Sequence, residues 1–220
     1  NRGDSNIAMG NEAFTGSATP ANNTGSHNVT FGTQAGKAIT SGNKNILLGC
    51  HAGKLLTTGS ENIAMGELAM GGAATTGSYN FAVGNGAGYN ITSGTNNIFI
   101  GGSGYCTQGG SYNIFLGSGA GKCSTSYNNV VIIGRGAGRC NSASTNNFIG
   151  AYSGCKITGA GNVALGHKAL GGAGNAGDGG VGLSNSITGS AVFYAGGGGG
   201  NSETGTAGDG GNGGGGDGHE

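Results

Sequence analysis

The strongest constraint in this sequence is a short motif that recurs about every 17 residues. It consists of an asparagine, an Ile, Val or Phe, any residue, an apolar residue and a closing glycine. Ten copies begin at Asn6, Asn28, Asn45, Asn62, Asn80, Asn97, Asn113, Asn129, Asn146 and Asn162; the copy at Asn129 is one residue longer, and the copy at Asn146 has Asn147 in its second position. A repeat of nearly constant length predicts a stack of equivalent coils, each coil contacting only its neighbours.

The composition indicates that the coils are β-structure. Glycine contributes 56 of the 220 residues, and charged residues make up only 8%, against roughly 25% in an ordinary soluble domain. A glycine inside a helix costs about 1 kcal/mol, so glycines every few residues disfavour helices. The low apolar share, 35%, argues against a large globular core.

Alternation within the motif predicts which side chains share a face. In the copy from Asn97 to Gly101, Ile98 and Ile100 point to the same side of a strand. We expect such pairs to build an apolar ladder from coil to coil, and the same pairs occur as Ile46/Leu48, Ile63/Met65, Phe81/Val83 and Ile114/Leu116. The asparagine before each strand is expected to bond its own backbone or the asparagine one coil away.

The second half of each unit is a small-residue step ending in Ala-Gly, followed by a predicted second short strand, as in residues 37–42, 54–59 and 89–94. The predicted fold is therefore an all-β solenoid or β-roll of about ten coils over residues 1–172. One thin coil buries few side chains, so several chains sharing an axial core would bury more, and we expect a homotrimer. Residues 173–220 form a glycine-rich segment, either flexible or polyproline-II-like.

Four cysteines follow the repeat. Cys106, Cys123, Cys140 and Cys155 are spaced by 17, 17 and 15 residues, which predicts a column on the second strand. Small-residue packing, disulfides between coils or chains, and a metal column remain open for them. Cys50 falls at another position of the repeat.

A second column carries cations and aromatic rings on successive coils. Its members follow the Ala-Gly or Ser-Gly step and are Lys37, Lys54, Tyr89, Tyr105, Lys122 and Arg139. This stripe is either a solvated edge or a contact for acidic surface glycans. The formal net charge is zero, which gives no indication of nucleic-acid binding.

The sequence offers little for catalysis or for membrane insertion. The histidines share no repeat position and the carboxylates are scattered, so we expect no enzyme activity, no cofactor and no metal site. No apolar run reaches the 18 residues of a membrane span. An ice-binding solenoid needs a regular threonine array, which Thr40, Thr57 and Thr92 begin but later coils do not continue.

The units at residues 93–105 and 111–122 resemble repeats of bacteriophage tail-fibre proteins and are similar in style to the heads of trimeric autotransporter adhesins. The resemblance covers about residues 6–172. The segment 187–195 with the glycine run after it looks like the entry to the glycine-rich domains of phage fibres. The resemblance implies a structural fibre or adhesin, on a virion or extracellular, whose tip binds a host-surface glycan or protein. The alternative is a cellular extracellular filament or adhesin built by end-to-end polymerisation.

Overall fold

The computed structural model describes residues 3–123 and 125–170, two short strands further on, and Asp209. The described chain is an all-β solenoid, as predicted from the repeat. Ten three-residue strands stand in chain order in one sheet, and each pairs in parallel with the next. The strands are β1 (Ile7–Met9), β2 (Val29–Phe31), β3 (Ile46–Leu48), β4 (Ile63–Met65), β5 (Phe81–Val83), β6 (Ile98–Ile100), β7 (Ile114–Leu116), β8 (Val131–Ile133), β9 (Asn147–Ile149) and β10 (Val163–Leu165).

The register is constant along the whole sheet. Ile98 lies opposite Ile114, Phe99 opposite Phe115, and Ile100 opposite Leu116, and the other pairs match in the same way. A short 3-10 helix, Pro20–Asn22, fills the long first unit. With the strand spacing of about 4.8 Å, nine steps make a rod about 43 Å long.

The structure shows which side of each strand faces the core. The first and third residues do share a face, as predicted, but that face points outward. The middle residue faces the core: Leu47, Phe99 and Phe115 are completely buried, whereas Ile98 and Ile100 are 37% and 38% exposed. The core of the coil is thus built by one strand residue, not by two.

The asparagines explain why the middle residue of each strand faces the core. Asn97 is buried and precedes Ile98, so alternation places Asn97 and Phe99 on the same, inward side. The amide of Asn97 donates to Oδ1 of Asn80 at 2.9 Å and to the carbonyl of Gly110 at 2.8 Å. Side chains that bond the coils above and below must lie inside, and this fixes which strand residues follow them inward.

The sequence suggested that the eighth copy of the motif is one residue longer than the others, but in the structure it has the usual length. Val130, not Asn129, takes the buried position before β8, and its backbone N–H donates to Oδ1 of Asn113 at 3.2 Å. Asn129 lies one place earlier, with φ of 58°, where other coils carry exposed residues such as Tyr112. The asparagine ladder is therefore interrupted by a valine at this coil.

The predicted second strand is also wrong. Among the described residues this side of the solenoid has a single isolated bridge, Leu56 with Thr75, and is otherwise built of turns. Neighbouring coils still bond there, as in Thr40 N–H to the carbonyl of Thr57 at 3.0 Å. The Ala-Gly step has left-handed backbone, for example φ of 54° at Gly53, which bends the chain before an extended run can form.

The core is narrow, and strand residues and turn residues fill it together. Leu56 and Ile91 are buried on the turn side, and Met70 is buried in the coil that carries the small Ala64. Phe99 stacks on Phe115 with ring centroids 5.4 Å apart, and Tyr127 meets Phe115 edge-on at 5.6 Å. Most of the closing glycines stack too closely for a side chain: a Cβ on Gly134 would lie 2.6 Å from the carbonyl oxygen of Gly150.

Beyond residue 170 the structure describes β11 (Leu183–Asn185) and β12 (Val192–Tyr194), which pair antiparallel. The predicted flexible or polyproline-II-like character of residues 173–220 otherwise lies outside the described residues.

Candidate interaction surfaces

The outward side of the ten-stranded sheet is an apolar face. It consists of the first and third residue of every strand, twenty positions in all, and nineteen are apolar. Asn147 is the exception. The first column holds Ile7, Val29, Ile46, Ile63, Phe81, Ile98, Ile114, Val131, Asn147 and Val163, and the other column holds Met9, Phe31, Leu48, Met65, Val83, Ile100, Leu116, Ile133, Ile149 and Leu165.

This apolar face is larger than a monomer usually exposes. Eleven of its side chains are between 36% and 76% exposed, which amounts to an area on the order of 1,000 Å² if a large side chain presents roughly 200 Å². The largest apolar patch on a typical monomer is about 300–600 Å². Parallel sheets are normally covered on both faces, and in this chain only the inner face is covered by the described residues.

The predicted cationic and aromatic stripe forms one column along the solenoid. Its members share a turn: the N–H groups of Lys37, Lys54 and Tyr89 each bond the carbonyl three residues back. Tyr89 and Tyr105 stack with ring centroids 4.7 Å apart, and Nζ of Lys122 lies 5.9 Å from the Tyr105 centroid. Both faces of the Tyr105 ring are thus occupied within the column.

At the lower end of the same column, Lys37 is paired with a carboxylate. Nζ of Lys37 lies 2.8 Å from Oε2 of Glu12, which also accepts from Gln34. These two hydrogen bonds, that of Lys37 first, hold the pKa of Glu12 below its usual value, and the positive charge of Lys54 lowers it further. Lys44 pairs with Glu61 at 3.6 Å.

A second cation–aromatic contact lies outside the predicted stripe. The guanidinium carbon of Arg135 is 5.1 Å from the Tyr152 ring centroid, and Tyr152 meets the His167 ring edge-on at 6.5 Å. The sequence did not predict this contact, because the two residues stand at different positions of the repeat. Arg135 directly follows the closing Gly134, and Tyr152 is the second residue after the closing Gly150.

The cysteines lie near one another but not in a single register. Cys140 donates its backbone N–H to the carbonyl of Lys122, and Lys156, not Cys155, makes the equivalent bond to Arg139. Cys155 therefore falls in the column of Arg139, and its thiol donates to the carbonyl of Gly136 at 3.3 Å. Cys50, Cys106, Cys123, Cys140 and Cys155 are all free thiols.

Burial raises the pKa of two of these thiols. Desolvation is the main cause at Cys140, followed by a hydrogen bond with the Cys123 thiol. At Cys155 desolvation also raises the pKa, opposed by the backbone and charge of Arg139. A raised pKa keeps a thiol protonated and unreactive, which suits a packing role.

Within residues 3–123 and 125–170 no cluster of three or more His, Cys, Asp or Glu side chains has the geometry of a metal site. No helix in the part of the chain that the structure describes is long and apolar enough to cross a membrane. Comparison with known proteins found no match among family models, curated proteins or solved structures.

Proposed function

We propose that this chain is a structural shaft whose copies assemble through the apolar face, as a fibre or adhesin on a virion or outside the cell. The observation that carries the proposal is the apolar face itself, with nineteen of twenty outward strand positions apolar. The tail-fibre resemblance of the repeats supports the placement on a virion, where the shaft would display a host- or surface-binding tip.

The size of the apolar face fits an interface between copies of the chain. A stable interface buries about 800 Å² on each partner, and the apolar face offers an area on the order of 1,000 Å² at roughly 200 Å² for a large side chain. A second copy has the same rise per coil, so every coil can meet an equivalent coil along the full rod. No partner of different architecture matches that period as simply.

We favour three copies over two. The apolar face is long but only two side chains wide, because each strand has three residues and the middle one points inward. Two such narrow faces in a pair leave their edges in water, whereas three faces around one axis cover each other's edges. The parallel arrangement keeps all coils in step and gives closed cyclic symmetry.

The proposal is tested by the mass of the native protein in solution. We expect the wild-type chain to sediment as a trimer. The double variant Ile98→Lys/Ile114→Lys places two charges on the apolar face of adjacent strands and is expected to sediment as a monomer. Burying an unpaired charge in an interface costs more than a pair of apolar contacts can offset.

Tyr79→Lys/Tyr112→Lys is the matched control. These tyrosines are 56% and 62% exposed but stand outside the strands, so the control should remain a trimer. A monomeric wild type, or a trimer in the Ile98/Ile114 variant, would contradict the assembly through this face.

The second candidate is a cellular filament formed end to end. It is favoured by the in-register parallel sheet, which can continue from one copy to the next along the rod axis without changing the pattern of hydrogen bonds. Electron microscopy separates the two. Discrete rods of uniform length support the fibre shaft, and open-ended filaments whose length grows with protein concentration support polymerisation.

A further inference from the structure

Charge is segregated along the solenoid. The described residues up to 67 contain four carboxylates and three lysines, and two ion pairs form among them, Glu12 with Lys37 and Glu61 with Lys44. Between residues 68 and 170 the sequence has no Asp or Glu and five cations: Lys122, Arg135, Arg139, Lys156 and Lys168. All five are exposed.

The five cations lie in the turn regions of four successive coils, and we call this set of side chains the basic corner. Each lies in the turns that follow a strand: Lys122 after β7, Arg135 and Arg139 after β8, Lys156 after β9 and Lys168 after β10. Four successive coils thus contribute at least one positive charge, with Lys122 and Arg139 at the same position of the turn and the other three at different positions. At a rise of about 4.8 Å per coil, the charges extend over about 14 Å.

Aromatic rings, not carboxylates, hold two of these cations. Lys122 rests against Tyr105 and Arg135 against Tyr152. A cation held over a ring keeps its N–H donors available for an anion. Within residues 68–123 and 125–170 no carboxylate accompanies the basic corner, whereas in the lower coils carboxylates lie beside the lysines.

We propose that the basic corner binds a linear acidic polysaccharide that carries sulfate or carboxylate groups. This deepens the proposed function, on which it rests for its biological setting, because it places surface recognition on the upper coils of the shaft itself. A polymer lying along the corner presents its anions one after another at a spacing comparable to the coil rise. Arg135 and Arg139 can each engage a sulfate or carboxylate with two parallel N–H groups.

The geometry favours a glycan over a nucleic acid. Single-stranded nucleic acids gain much of their affinity from bases stacking on exposed aromatic faces. The faces of Tyr105 are occupied by Tyr89 and Lys122, and Arg135 covers a face of Tyr152. What remains for a ligand is a row of charged donors, which a polyanion without bases satisfies.

The test measures binding of the full chain to heparin, as the sulfated probe, and to uncharged dextran of the same length at increasing salt concentration. The variant Lys122→Gln/Arg139→Gln/Lys156→Gln removes three charges from the basic corner. Its matched control, Lys37→Gln/Lys44→Gln/Lys54→Gln, removes three charges from the lower coils. We expect at least a ten-fold loss of heparin affinity in the first and less than a two-fold loss in the control.

The salt dependence gives an independent readout. Each lost phosphate-like contact lowers the slope of log affinity against log salt by about 0.7–0.9, so the basic-corner variant should lose roughly 2 units of slope. Equal losses in both variants would show a net-charge effect only and overturn the proposal. So would stronger binding of a single-stranded oligonucleotide than of heparin, or equal binding of dextran. The mass of each variant is measured in parallel, so a failure of assembly is distinguished from a failure of glycan binding.

Discussion

At the scale of single residues, one buried hydroxyl marks a weak place in the core. Thr107 is fully buried in the position that Ile91 occupies one coil earlier, and its Oγ1 has no hydrogen-bond partner. An unsatisfied buried polar group costs about 1–3 kcal/mol. Ser103 and Thr107 are the small residues of the coil that also holds the large Phe99. We therefore attribute the threonine to the small volume left beside Phe99 and not to a role of its hydroxyl.

Thr107→Val should therefore stabilise the protein. The change keeps the shape and removes the unpartnered hydroxyl, and we expect the free energy of unfolding to rise by about 1 kcal/mol. The measurement is the midpoint of denaturant unfolding. Thr75→Val is the matched control, because Thr75 is equally buried but its hydroxyl donates to the carbonyl of Ile91 at 2.8 Å. A gain in both variants, or in neither, would contradict the explanation.

The residue scale also shows what the sequence could predict about the strands. Alternation correctly placed Ile98 and Ile100 on one face, because a three-residue strand has no other choice. It could not say which face is inside, because Phe99 and its flanking isoleucines are all apolar. The deciding signal was the asparagine before the strand: once Asn97 is taken as a buried ladder residue, Phe99 must be inside with it.

At the scale of the elements, the asparagine ladder holds the coils together from within. Most ladder amides donate to the asparagine oxygen one coil below and to a turn carbonyl, as Asn45 does to Asn28 and Gly59 at 2.9 Å each. Buried networks of this kind stabilise only when every member is satisfied. At Val130 the side-chain donor is missing, and the turn carbonyl of Ala143 accepts from Asn141 and Asn146 instead.

Val130→Asn should restore the ladder at this coil. The new amide can donate to Oδ1 of Asn113, which at present accepts only the backbone N–H of Val130 among the described contacts. We expect a gain of about 1 kcal/mol in unfolding free energy, the usual net value of a buried hydrogen bond. Calorimetric or denaturant unfolding measures it.

The reciprocal variant Asn97→Val is the control. It leaves the Gly110 carbonyl without the donor shown at 2.8 Å and should lower the unfolding free energy by about 2 kcal/mol. A destabilised Val130→Asn protein would mean that the arrangement of Asn141 and Asn146 has replaced the ladder and not merely adjusted to the gap.

The turn side of the coil was harder to predict than the strand side. Residues 37–42 and 89–94 look like strands because Ile39 and Ile91 alternate with polar residues. The structure shows turns there, because the glycine just before each segment, Gly36 or Gly88, has left-handed backbone with φ of 58° or 57°. In later coils Cys123 and Cys140 are left-handed as well, with φ of 72° and 59°. Residue type alone does not reveal such left-handed positions. For the same reason the sequence pattern predicted Cys155 in one column with the other cysteines, whereas the structure places it in the column of Arg139.

At the scale of the whole molecule, the solenoid separates its surfaces. The apolar face runs the full length of the sheet, and the basic corner occupies the last four described coils. The repeat length and composition were sufficient to predict a rod. The outward direction of the apolar face required the structure, and that direction is what links the fold to assembly, because apolar side chains at such density stabilise the protein only when they are covered.

The stability of the protein should therefore depend on its concentration. If copies cover one another's apolar faces, folding and association are linked, and a ten-fold rise in concentration adds about 1 kcal/mol to the unfolding free energy. For a chain of this size that corresponds to an increase in Tm of about 2–4 °C. Thermal unfolding followed over a hundred-fold concentration range measures it. The Ile98→Lys/Ile114→Lys variant should lose the dependence and the Tyr79→Lys/Tyr112→Lys variant should keep it, because only the first pair lies on the apolar face; a constant Tm in the wild type would mean that the face stays uncovered in solution.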